Sequence, residues 1–131
     1  MAGTNTRRSV NRCRVLSGLA ASLFLEQGIA HHSGAMFDDK VSTTLTGTVK
    51  AYQWSNPHCW IQVLVPSEQG PIEWSVEMGA PSQLFRGGWR PGTLEAGDKI
   101  TVVIHPMRDG TKGGLFVSAA RADGKPIGTS T

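Results

Sequence analysis

T-L-T-G-T-V-K-A-Y-Q-W, Thr44 to Trp54, is the run whose reading decides the fold. From Val41 onward apolar and polar residues alternate with a period of two, the pattern of a strand with one face buried. Here the alternation passes through a glycine. Gly47 offers no side chain to pack, so it marks a bend or bulge in a long first strand.

Working outward, Ser55-Asn56-Pro57 ends the run as a turn. H-C-W-I-Q-V-L-V, His58 to Val65, forms a second strand, with Cys59, Ile61, Val63 and Val65 on one face and His58, Trp60, Gln62 and Leu64 on the other. Pro66 to Gly70 turns the chain into I-E-W-S-V-E-M, where Ile72, Trp74, Val76 and Met78 are expected inside and Glu73, Ser75 and Glu77 in water. Pro81 to Arg86 then suits a short helix entered through a proline and closed by Gly87-Gly88. Lys99 to Pro106 is a fourth strand with Ile100, Val102 and Ile104 inward and His105 outward, and turn glycines lead into a fifth, Leu115 to Ala120. Three strands, a short helix and two strands, with a long bent first strand, predict an all-β, five-stranded Greek-key barrel of the oligonucleotide/oligosaccharide-binding (OB) type. A small open β-sandwich is the alternative.

The first thirty residues read differently. Residues 1 to 14 carry Arg7, Arg8, Arg12 and Arg14 and no acid, and Val15 to Leu25 has no charge. That run is short of the roughly 20 apolar residues a membrane span needs. With the small residues of Gly28-Ile29-Ala30 behind it, the layout predicts a secretory signal peptide over 1–30, cleaved after Ala30. Thr6 and Asn11 fit a twin-arginine signal poorly, which leaves general secretion. A buried amphipathic helix fits less well, because four arginines without an acid make an odd flank for a core helix.

Cleavage alters the charge. The chain holds 13 basic and 10 acidic residues; without the four arginines and Glu26, nine of each remain. A neutral mature domain gives no electrostatic ground for nucleic acid as a partner. Cys13 also leaves, so Cys59 is the one remaining thiol and no internal disulfide can form. The expectation is a single domain over 31–122 with a flexible tail over 123–131, in the periplasm or secreted, without a membrane anchor.

His31-His32-Ser33-x-Ala35-Met36-Phe37-Asp38, Gly47-Thr48-Val49, Asn56-Pro57-His58-x-Trp60, Glu73-Trp74 and Val102-x-Ile104-His105-Pro106 together resemble a family of small exported bacterial proteins of unknown function. The resemblance spans roughly residues 31 to 122. It implies a signal peptide and a compact β domain, and no activity.

Chemistry therefore rests on the residues themselves. Cleavage after Ala30 makes His31 the first residue, so its free amine and its imidazole can bind one ion together. Amine and imidazole nitrogens suit Cu(II), which heads the divalent affinity order. His32, His58 and His105 are the candidate partners, the last two at a turn and a strand end where a barrel rim can hold them. Copper is preferred to zinc, since no spaced zinc motif such as H-E-x-x-H is present. Against this stand plainer roles: a solvated terminus for His31 and His32, and backbone hydrogen bonds for His58 and His105. Cys59 alternates into the core, and Met36, Met78 and Met107 show no clustering in sequence. Glu73 and Glu77 fall on one strand face and raise the carboxylate pair that glycosidases use, though a solvated face explains them more cheaply. Three functions follow in order: copper binding; a ligand- or protein-binding OB-like module using Trp60 and Asn56; and a copper oxidase built on the amino-terminal histidine.

Overall fold

The computed structural model describes residues 34 to 129, together with Met1 and Gly3. Apart from those two residues, the expected signal peptide lies outside the described residues, as do His31 and His32. A 3-10 turn, Gly34–Met36, is followed by β1 (Thr43–Gln53), β2 (Trp60–Val65), β3 (Ile72–Glu77), α1 (Pro81–Arg86), β4 (Lys99–Pro106) and β5 (Gly113–Arg121).

The strands close a barrel in the order β1-β2-β3-β5-β4, with β4 returning to β1. All pairings are antiparallel except the short parallel one between β3 and β5. This is the Greek-key barrel of the OB type, with its short helix between β3 and β4. An open sandwich is excluded because β1 belongs to both edges. Its first half, Thr43 to Thr48, pairs with β4, and its second half, Thr48 to Gln53, pairs with β2. Gly47 sits at that handover, where a Cβ would run into the Leu64 carbonyl of β2. A register shift between Val49 and Ala51 completes the bend.

The alternation read from sequence builds the interior. Leu45, Val49, Ile61, Val63, Val76, Ile100, Val102 and Ile104 are all buried. One end of the barrel is closed by Leu84 of α1 and by Trp89, which meets Phe116 edge-on at 5.4 Å between ring centroids. Helix α1 starts at Pro81, and the Gln83 side chain accepts a hydrogen bond from the Ala80 N–H at 3.1 Å. Gly88, with φ +88°, turns the chain away after it.

Two expectations need correcting. Ile72, expected inside, is 38% exposed, because β3 begins beyond the end of the core. Residues 123 to 129, expected as a flexible tail, fold back onto the barrel. Pro126 bridges Ala120, the Ile127 N–H donates to the Ala119 carbonyl at 2.9 Å, and the Thr129 N–H donates to the Gly87 carbonyl at 2.8 Å. Ile127 is 5% exposed. A single aliphatic residue in a polar segment joins the buried core, and a composition argument averages it away.

Candidate functional site

One row of side chains organises the outer face of the barrel. Trp60 pairs with Glu77, Glu77 with Leu115, and Leu115 with His105, so four strands place these residues side by side. Directly paired residues share a sheet face. Two strand spacings put the Glu77 and His105 backbones roughly 10 Å apart. His58 enters from the loop before β2 and lies over Glu77, its Nδ1 at 2.5 Å from Glu77 Oε1.

Glu77 is the main departure from the sequence reading. Alternation put it in water beside Glu73, yet it is 6% exposed. The outer face of β3 is covered at this point by the His58 loop and by Phe37, which lies along the barrel and is itself buried. Glu73, further along the same strand, stays exposed and pairs with Lys50 Nζ at 2.5 Å. The two carboxylates thus serve different partners, and the glycosidase-like pairing is excluded. A buried carboxylate is costly unless it is bonded, and His58 supplies the bond.

His58, Glu77 and His105 line one cleft of about 510 Å³. Its wall also includes Gly34 and Gln83. Both imidazoles are oriented through Nδ1: His58 donates to the Glu77 carboxylate, and His105 donates to the Val41 carbonyl at 2.8 Å. Donation from Nδ1 leaves Nε2 of each neutral ring as a lone-pair donor. A histidine that binds a metal usually gives its other N–H to a carboxylate or a carbonyl in this way. Among the described residues no three His, Cys, Asp or Glu side chains form a group that would hold a metal ion. An ion in this cleft therefore needs ligands beyond His58 and His105.

The amino-terminal segment is fastened beside this cleft. Phe37 bridges Met107, the Asp38 N–H donates to the Pro106 carbonyl at 2.8 Å, and the Arg108 N–H donates to the Met36 carbonyl at 3.0 Å. Arg108 Nε adds a bond to the Ala35 carbonyl at 3.0 Å, and its guanidinium lies 3.6 Å from Asp38 and 3.5 Å from Asp39. Gly34, three residues after His31, is on the cleft wall. Three residues reach at most about 10 Å.

The remaining candidates separate. Trp60 is half-buried and lines a second, smaller cavity of about 290 Å³. Asn56 is exposed in the β1–β2 loop and lines neither cavity. Cys59 is fully buried, as alternation indicated, and burial pushes its thiol pKa up. Met36 and Met107, distant in sequence, line the smaller cavity together. Only the β4–β5 turn and the strapped amino-terminal segment bring them there, so sequence spacing gave no sign of it.

Fold and cleft define a five-stranded OB-type barrel with two oriented histidines on one outer face. The chain belongs to a family of unknown function, DUF6152, whose profile matches residues 19–118. No curated protein matches it. Among solved structures it is similar to the mitochondrial single-stranded DNA binding protein Rim1 of S. cerevisiae, at 8% identity and a TM-score of 0.46, over 63% of this chain and 94% of that one.

Proposed function

We propose that the protein is an exported copper-binding protein, holding Cu(II) through the amino terminus and the cleft histidines. In this reading the signal peptide is cut after Ala30 and the protein acts in the periplasm or outside the cell. The observation that carries it is the shared orientation of His58 and His105: both line one cleft, and both commit Nδ1 to an acceptor. The amine and ring of His31 supply two further nitrogens from a segment whose anchored end, Gly34, is on the same wall. Four nitrogens in a tetragonal set are the arrangement Cu(II) favours. His32 has a ring but no adjacent free amine, and it stands outside this set.

Glu77 belongs to the proposal as a positioning residue. Its carboxylate, 2.5 Å from Nδ1, fixes the tautomer and angle of His58. Metal binding requires neutral imidazoles, so affinity falls as pH is lowered.

Titration with Cu(II) of a chain beginning at His31, beside one carrying an extra alanine before it, tests the reading. The extension is expected to weaken binding strongly; equal affinities would remove the amino terminus from the site. A second reading, a small-ligand module, has its own support in Trp60, which lines the 290 Å³ cavity on the face where OB barrels bind ligands. If neither chain takes copper, a tryptophan fluorescence response to cell-wall sugars or oligonucleotides favours that module.

A further inference from the structure

We infer that the smaller cavity binds a small carboxylate with an apolar body, an arylalkanoate in size and charge, its ring against Trp60 and its carboxylate at Lys112 and Ser75. This rests on the second reading above, that the cavity takes a small ligand, and is independent of copper. The cavity is about 290 Å³, at the lower end of the roughly 300–1,000 Å³ of ligand sites, and suits one ring with a short arm. Phe37, Trp60 and Met107 form its apolar wall. Gly113 leaves a further stretch of wall without a side chain: a Cβ there would meet the Ser75 carbonyl oxygen at 3.1 Å and Met107 Cγ at 3.5 Å.

The polar groups on the wall decide the ligand's charge. Glu77 is committed to His58, and Thr111 gives both its N–H and its hydroxyl to the exposed Asp109, at 3.0 and 2.7 Å. Lys112, also on the wall, makes no ion pair among the described residues; its ammonium rests 5.2 Å from the centre of the Trp74 ring. The Ser75 hydroxyl likewise has no hydrogen-bond partner among the described residues. These two donors belong to adjoining backbone, since the Ser75 N–H donates to the Lys112 carbonyl at 3.1 Å. An ammonium and a hydroxyl beside an apolar wall complement an acceptor that carries negative charge. The two ends of the cavity differ. Trp60 pairs with Glu77, and Ser75 lies two residues before Glu77 on β3, about 7 Å along the strand. A carboxylate at Ser75 therefore stands away from the Glu77 charge while the apolar body reaches Trp60.

The test uses three matched probes, 3-phenylpropionate, its neutral amide and 3-phenylpropylamine, titrated while the indole N–H resonances of the four tryptophans are followed. The carboxylate is expected to shift Trp60 and to leave Trp89, fully buried at the closed end of the barrel, unmoved. It should bind about three- to tenfold more tightly than the amide, the combined effect of one partly exposed ion pair and one hydroxyl donor, and the amine should bind most weakly. Lys112→Met should bring the carboxylate down to the affinity of the amide, Lys112→Arg should keep the difference, and both variants should keep their Cu(II) affinity. Equal affinity for carboxylate and amide, or a carboxylate affinity that Lys112→Met leaves unchanged, overturns the inference and leaves the cavity as a site for neutral ligands. No Trp60 shift with any probe also overturns it, and the small-ligand reading then stands only if cell-wall sugars or oligonucleotides move that resonance.

Discussion

Glu77→Leu separates a carboxylate kept for packing from one kept for a metal. Glu77 is nearly buried while the His58 side chain is 35% exposed, so the pair straddles the boundary with water. The substitution loses a hydrogen bond to a charged group, worth about 1.5–3 kcal/mol. It also removes the cost of desolvating a carboxylate, several kcal/mol in an interior, and buries an aliphatic side chain worth about 1.5–3 kcal/mol. His58 retains access to water and is not left as a buried orphan. Two of these terms favour leucine and one opposes it, so the Leu variant is expected to be as stable as the parent or more so, with Tm unchanged or raised. Glu77→Ala instead leaves a void and should cost about 2 kcal/mol or more.

Cu(II) affinity should fall in both variants by about 10- to 100-fold, the usual cost of losing a carboxylate behind a ligating histidine. Circular dichroism melts and Cu(II) titrations on the same preparations read both quantities. A Leu variant that melts more than about 15 °C lower while binding Cu(II) unchanged would refute the assignment and make the pair purely structural.

Two further outcomes test the fold that places these residues. Gly47→Ala pushes a methyl into the Leu64 carbonyl where β1 passes from one neighbour to the other, and should destabilise by about 1–3 kcal/mol in chemical denaturation, well beyond an exposed strand glycine. Cys59 should resist alkylation in the native protein, since burial both shields the thiol and raises its pKa so that less thiolate is present at a given pH. Its reaction should accelerate on unfolding, and Cys59→Ala should leave Cu(II) binding unchanged; fast native alkylation would place it on the surface instead.

The barrel was legible because period-two alternation holds through β2 and β4 and the first half of β1, and Gly47 marks the bend that lets β1 join both edges. Helix α1 was legible from Pro81 and the two glycines that follow it. Glu77 was misread because alternation states which face of a strand a residue takes, and not what later covers that face. Here the cover comes from His58, nineteen positions earlier, and from Phe37, forty earlier. Met36 and Met107 line one cavity for the same reason, through loops whose docking has no periodicity to read. His58 and His105 were legible as rim residues, but their hydrogen bonds to Glu77 and Val41 depend on tertiary pairing. Ile127 shows the opposite limit, a buried residue hidden by the polar company it keeps.

The most direct test of the copper reading is pulsed electron paramagnetic resonance of the Cu(II)-loaded chain beginning at His31, compared with His58→Ala and His105→Ala. The expected result is modulation from the remote imidazole nitrogens of three histidines, reduced by one in each variant. Spectra identical in all three proteins would contradict convergence of the amino terminus and the two cleft histidines on one ion.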